Sequence, residues 1–315
     1  MDGAMDLCLQ KPVPEGMCAA LHSMGNPQLS YMAASSMRRK SSTPHMLCEE
    51  EVFFESAWRA QAWGRTNAPE AGQMSAYHPN IFSALKALAS VQLEGSRTYG
   101  EVTDLVRHNV SLARSTALFN FQDLHDSQST KYCQLQLVRL QICEDIELLL
   151  HELVKSNRPA AGMSAPLTPS PSQSRSAFAR AGRADSDAKS HISALQRMLR
   201  IWHSRYKEYD YNFTLCEPLI SLHAILLGIS PCSSLLDEHL CMAAKLSMKS
   251  GNMSFARGSM HKLQMWASSR RALDEPSYWW IREAKVLVFL FFISICNCSV
   301  NLSHTSQSSN LLSYC

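Results

Sequence analysis

Apolar residues along this chain recur at three- and four-residue steps in block after block, with no run of period-two alternation. That spacing gathers apolar side chains on one face of a helix, which must be covered by a neighbour. The stretch Phe54 to Leu88 shows it best. Trp58 and Trp63 lie five apart in the first of two aromatic-rich helical patterns, and Ile81, Leu85 and Leu88 recur at i, i+4 and i+7 in the second. A polar loop containing Pro and Gly separates them, and His78-Pro79 opens the second helix. Proline is accepted in a first turn because its missing N–H would be unbonded there. A helical hairpin is expected.

Taken in order, residues 1–47 are rich in Met, Ser and Pro without sustained periodicity. They are expected to form a poorly ordered lead-in with one short helix near Met17 to Leu21. Residues 48–156 form a first helical block, opened by the acidic run Glu49-Glu50-Glu51, which suits a helix N-terminus. Within it, a helix from about Thr98 to Leu118 sets Val102, Leu105, Val106 and Val110 on one stripe. The clearest helix runs from about Lys131 to Val154, with Leu135, Val138, Ile142, Ile146, Leu149 and Leu153 in register.

Residues 157–190, with APLTPSPSQSRS at their centre, lack apolar periodicity and are expected to be a flexible Ser/Pro-rich linker. A second helical block covers 191–288. Leu195, Met198, Leu199 and Trp202 form one face toward Tyr206 and Tyr209. Pro218 is placed in the first turn of the next helix, followed by Leu219, Leu222, Leu226 and Ile229. Ser233 to Ser250 is a helix closed by Gly251-Asn252, and Phe255 to Ser268 and Tyr278 to Val288 complete the series. Residues 289–315 are an apolar then Ser/Asn-rich tail. Its run Val286 to Cys296 is too short for a bilayer, which needs about 20 apolar residues. The readings of that run are a buried helix end, a short anchor, or coding sequence foreign to the rest. The fold class expected is all-α, an α-solenoid of antiparallel helix pairs of tetratricopeptide-like character.

Composition changes this picture little. With 46% hydrophobic and 18% charged residues the chain reads as mostly folded. A net charge of +3, with Arg38-Arg39-Lys40 as the densest basic run, gives no footprint for nucleic acid. The 11 cysteines include no C-x-x-C pair and read as reduced, half-buried small hydrophobes, among them Cys133, Cys143 and Cys241. The N-terminus has no apolar core of a signal peptide.

Chemistry is equally sparse. There is no glycine-rich phosphate loop, no D-F-G and no H-R-D or D-R-H triplet. The 12 histidines form no zinc-like spacing, and His223 and His239 read as satisfied histidines of helices. No catalytic, cofactor-binding or metal residue is assigned. The 6 tryptophans, Trp58, Trp63, Trp202, Trp266, Trp279 and Trp280, read as packing aromatics between helix pairs.

Four blocks, in order, resemble the FAT region of the ataxia-telangiectasia-mutated branch of the phosphatidylinositol-3-kinase-related protein kinases. The first is Ala57-Trp58-Arg59 with Trp63, then Tyr77-His78, Ile81-Phe82 and Ala84-Leu85. The second is Trp202, Phe213 and Cys216-Glu217-Pro218-Leu219-Ile220 with Leu222; the third is His239-Leu240, Leu246 and Asn252. The fourth is Trp279, Ile281 and Glu283-Ala284 with Val286. The resemblance implies a helical regulatory scaffold that positions a nuclear serine/threonine kinase domain signalling DNA breaks, a domain absent from this chain along with its ATP and Mg²⁺. It implies as partners that kinase domain, the neighbouring solenoid and a second copy, with no membrane contact.

Under the resemblance, Trp58, Trp63, Leu85, Trp202, Pro218 and Trp279 are packing positions, and no catalytic residue carries over. Ser127 and Ser172, each followed by Gln, match that kinase's consensus, as does Ser306; Thr168-Pro169 in the linker is a further candidate phosphorylation site. The chain departs from the family past Val286, where it turns Phe-rich, so a fragment or a misread gene end is expected. The alternative function is a stand-alone tetratricopeptide-like adaptor that binds protein partners.

Overall fold

A computed structural model describes residues 14–40, 47–69, 76–94, 98–122, 130–156, 192–209, 212–230 and 233–271. Among them stand ten helices and no strand, so the protein is all-α. In chain order these are α1 (Pro14–Ser23), α2 (Pro27–Lys40), α3 (Leu47–Arg59), α4 (Tyr77–Glu94) and α5 (Tyr99–Gln122). They continue with α6 (Thr130–Ser156), α7 (192–208), α8 (Phe213–Ile229), α9 (Ser233–Lys249) and α10 (Met253–Arg271). The chain divides into two compact units, Met1–Lys262 and Leu263–Cys315; of the second only 263–271 are described. The expected linker 157–190, the Tyr278 to Val288 helix and the tail 289–315 lie outside the described residues, as does Trp279.

Packing in the first unit begins neighbour on neighbour: each of α1 to α5 touches the next in the sequence, and α8 touches α9. Two sets of contacts go further. α1 also packs on α3, and α8 packs on α3, α4 and α6. The reason is legible in α8, whose Leu215, Cys216, Leu219, Ile220, Leu222, Ile225, Leu226, Leu227 and Ile229 are all buried. A helix apolar around most of its circumference needs neighbours on several sides, so α8 sits among other helices rather than at an edge.

The expected apolar stripes fill the core with two exceptions, Leu105 and Leu135. Ile81, Leu85 and Leu88 are fully buried, as are Ile146 and Leu149. Leu105 is 48% exposed and Leu135 39% exposed, so neither belongs to its stripe. On α5 the inward face runs through Val102, Val106, Val110, Ala113 and Ala117, and on α6 Gln136 turns inward beside Val138. Trp63 is buried but lies beyond α3, which ends at Arg59. There Gln61 adopts φ 53°, its N–H donating to the Trp58 carbonyl and the Ala62 N–H to the Ala57 carbonyl. That pair of bonds is a left-handed helix stop, here carried by a residue other than glycine. Trp63 still packs, its ring 5.6 Å from that of Phe82.

Helix ends explain two further differences. The lead-in expected to be poorly ordered carries α1 and the longer α2, both ordered by packing: Tyr31 and Ala34 of α2 are buried, and the Tyr31 hydroxyl bonds that of Thr66 at 2.9 Å. Pro218 stands in the second turn of α8, not the first, because Phe213 starts the helix by docking edge-on against Phe255, centroids 5.0 Å apart. The Gly251-Asn252 stop of α9 is as expected, with Gly251 at φ 77° and the Asn252 N–H on the Ser247 carbonyl at 2.7 Å. Asn252 then caps α10 through Oδ1 to the Phe255 N–H, and its Nδ2 donates to the Ser23 carbonyl at 2.7 Å. Gly25, at φ 74°, stands two residues after Ser23, and a Cβ there would meet the Phe255 Cα at 3.1 Å. The α1–α2 turn therefore accepts only glycine where it meets α10.

Candidate functional site

Most buried ionisable groups of the first unit gather in two clusters; Glu50, paired with Arg38 at 3.2 Å, stands apart from both. The larger lines a cleft of about 670 Å³ between α1, α3, α4, α6 and α8. At its base the Arg59 guanidinium, 7% exposed, donates from Nη1 to both oxygens of Glu217 at 2.5 Å. Its Nη2 donates to Glu55 Oε1 at 2.7 Å, one helical turn back on α3. The Ser221 hydroxyl adds a bond to Glu217 Oε1 at 2.7 Å. A charge this deep is tolerated only with such pairing. Burial by itself would lower the Arg59 guanidinium, but Glu217 and Glu55 hold it above its ordinary value.

Glu51 fixes the other wall. Its carboxylate accepts from the Tyr77 N–H at 2.6 Å and the His78 N–H at 2.8 Å, occupying the positive N-terminus of α4. His78 Nδ1 accepts from Trp58 Nε1 at 3.3 Å, which leaves the proton of the neutral ring on Nε2, facing Glu55 Oε2 at 3.6 Å. Burial draws His78 below its ordinary value. Burial would raise the Glu55 carboxyl, but the His78 Nε2–H turned toward it and the Arg59 charge together hold it well below the carboxylate range. His22 of α1 completes the lining; it is 5% exposed and its Nε2 has no hydrogen-bond partner. Burial, joined by the Arg59 charge, lowers His22 to about 3.

The second cluster centres on Asp145 of α6, whose carboxylate is fully buried. It accepts from Trp202 Nε1 at 3.1 Å, Arg205 Nη1 at 2.9 Å and Gln141 Nε2 at 3.1 Å, and pairs with His223 Nε2 at 2.8 Å. The other His223 nitrogen, Nδ1, takes the Tyr206 hydroxyl. The His223 ring lies flat on Trp202, centroids 3.9 Å apart and planes 5° apart. An Asp–His–Tyr series of this order resembles a proton relay in outline. Tyr206 and His223 are each 1% exposed, however, and burial drives the Tyr206 hydroxyl well above its ordinary value. With no access for a substrate, the series acts as a polar joint between α6, α7 and α8.

The positions read from the sequence as packing sites lie as follows where described. Trp58, Leu85 and Trp202 are buried at 0%, 0% and 1% exposure, and Pro218 and His22 line the cleft together. His223 is a core histidine with both ring nitrogens bonded, whereas His239, also in the core, has its Nε2 on the Ile220 carbonyl at 3.0 Å and its Nδ1 without a hydrogen-bond partner. Ser127, Thr168, Ser172 and Ser306 lie outside the described residues. Among the described cysteines Cys18, Cys143 and Cys216 are buried and unpaired, and burial raises the Cys143 thiol to about 12 and that of Cys216 to about 11. Such thiols are not nucleophiles near neutral pH. Among the described residues no group of three or more His, Cys, Asp or Glu is placed to hold a metal ion. Among them too, no helix is long and apolar enough to cross a membrane.

Sequence reasoning missed Arg59, Glu55, Glu217, His22 and Asp145. Only Glu55 and Arg59 left a trace, the four-residue spacing of a helical ion pair. Glu217 lies 158 residues from Arg59, and no local pattern marks it. The fold and these two clusters define an all-α protein whose buried charges join sequence-distant helices. Comparison with protein-family models, curated proteins and solved structures finds no match to this chain.

Acid should find the buried histidines. His239, like His22, is lowered by burial to about 3, so both are neutral when folded and take up a proton on unfolding at any pH below about 6.5. A depressed folded pKa gives stability that is complete above the unfolded value and declines as pH falls toward the folded one. Urea unfolding is expected to lose roughly 1 kcal/mol per histidine per pH unit between pH 6 and 4. Replacing either histidine by glutamine should flatten that slope; an unchanged slope in both variants would contradict the assignment.

Proposed function

We propose that this chain is a helical regulatory scaffold that positions and regulates a serine/threonine kinase domain of the DNA-damage response. The observation that carries the reading is where the aromatic residues of the resemblance lie. Trp58 and Trp202, the two largest fully buried side chains, each join helices, Trp58 to the start of α4 and Trp202 to α6 and α8. A scaffold needs such anchors and no reactive group of its own. In this reading ATP and Mg²⁺ belong to the partner kinase, the partners are that domain, neighbouring helical repeats and a second copy, and the setting is the nucleus.

The full chain, immobilised, is the material for the test, with a purified kinase domain of the ataxia-telangiectasia-mutated type as analyte. Saturable binding and a changed rate of phosphorylation of a Ser-Gln peptide are expected. A folded chain that neither binds the domain nor alters that rate would end this reading. The stand-alone adaptor is the second reading, favoured by one observation, the cleft between α1, α3, α4, α6 and α8.

A further inference from the structure

The net charge of +3 conceals a segregation of charge along the chain. From His239 to Arg271 there are six Lys and Arg and no Asp or Glu, which leaves 24 cations against 27 carboxylates elsewhere. In the first unit this acid-free stretch is the second half of α9, the Gly251-Asn252 turn and the start of α10. Each helix is buried on one side only. On α10 Phe255, Ala256, Ser259 and Met260 are buried, while Ser254, Arg257 and His261, at three- and four-residue steps, are exposed. On α9 Lys245 and Lys249, one turn apart, are exposed. The bonds of Asn252 to the Ser247 carbonyl and the Phe255 N–H fix the corner from which both helices run. Among the described residues no carboxylate pairs with Lys245 or Arg257. Lys262 is partly offset by Glu217.

From this arrangement we infer that the outer face of the α9–α10 hairpin docks on the phosphate backbone of double-stranded DNA. Backbone contact needs cations and hydroxyl donors, and the exposed Ser250 and Ser254 stand beside Lys249 and Arg257. An anionic membrane surface also attracts cations, but a helix that lies on it inserts large apolar side chains. Among the described residues of 235–262 no large apolar side chain is exposed. An acidic peptide is held in a groove or along a sheet edge. Here the cations stand on outward helix faces, and Lys245, Lys249 and Arg257 do not line the cleft. Duplex RNA closes its major groove to protein, whereas that of B-DNA, about 12 Å wide, admits a helix about 10–12 Å across. The inference needs only the hairpin and stands apart from the scaffold reading.

The test titrates the full chain into a fluorescein-labelled DNA duplex of mixed sequence and reads anisotropy from about 50 to 200 mM salt. Saturable binding is expected, with log K falling on log salt at a slope of about −2.7, about −0.9 for each of three neutralised phosphates. The triple variant Lys245→Gln, Lys249→Gln, Arg257→Gln should bind at least tenfold more weakly, with a slope shallower by about 2. Arg197→Gln, Arg200→Gln, Lys207→Gln removes the same charge from the exposed face of α7 and should change binding less than threefold. Equal loss in the two triple variants would overturn the inference, because the attraction would then belong to the chain's total charge. Three further probes are compared on the unaltered chain: a duplex RNA of the same sequence, polyglutamate, and vesicles of phosphatidylserine with phosphatidylcholine. Each is expected to bind at least tenfold more weakly than the DNA. Failure to bind the DNA, or equal binding of any of the three, would end the inference, and these comparisons hold even if a variant fails to fold.

Discussion

Arg59→Met is expected to lower the unfolding free energy of the chain by about 3–5 kcal/mol, the largest effect of any single change in the cleft. The methionine fills most of the volume, so packing loss is minor. What remains is Glu217, 6% exposed, stripped of both of its guanidinium bonds, beside Glu55 stripped of its own. Two like charges in a poorly solvated place then face each other, with the Ser221 hydroxyl, His78 and the more distant Lys262 left near them. The outcome shows as a lower urea midpoint at unchanged m. A second substitution separates pairing from packing: Arg59→Met with Glu217→Gln should recover part of the loss, because the uncompensated charge is gone. A single variant within about 1 kcal/mol of the parent would mean that the α3–α8 ion pair does not form.

Asp145→Ala is expected to rank next, also at about 3–5 kcal/mol. The substitution leaves the buried N–H groups of Trp202 and His223 without an acceptor, and Arg205 without its nearest carboxylate. The next acidic group, Glu144, is 3.8 Å from Arg205 and 55% exposed, too wet to replace it. Trp202→Phe keeps most of the stacking on His223 and removes one donor, so it should cost nearer 1–2 kcal/mol. Near-UV circular dichroism in Asp145→Ala should report the freed Trp202 ring before the helices melt. Equal stability of Asp145→Ala and the parent would show that α7 is not tied to α6 through this carboxylate.

These two sites mark where sequence reading stops. Helix after helix was legible because burial on a helix leaves a three-to-four-residue trace, as in Ile81, Leu85 and Leu88 or in Val138, Ile142 and Ile146. Helix stops that use glycine were legible too, since a positive φ selects for it at Gly251. The stop at Gln61 was not, because glutamine carries no such signal, and Trp63 was consequently placed one turn too far along a helix. Leu105 and Leu135 misled for another reason: periodicity says that a face is apolar, not which of its edges a neighbour covers.

By itself, then, the sequence determined the all-α class, most helix positions and the role of Trp58 and Trp202 as buried anchors, all consequences of local periodicity and side-chain size. Only the tertiary structure decided that α8 lies against α3, α4 and α6, and that Asn252 reaches back to Ser23. It also brought Arg59 to Glu217, and Trp202 and His223 to Asp145. Those pairings join residues dozens to hundreds of positions apart. They follow from how several faces pack at once, and no local stretch of sequence records that.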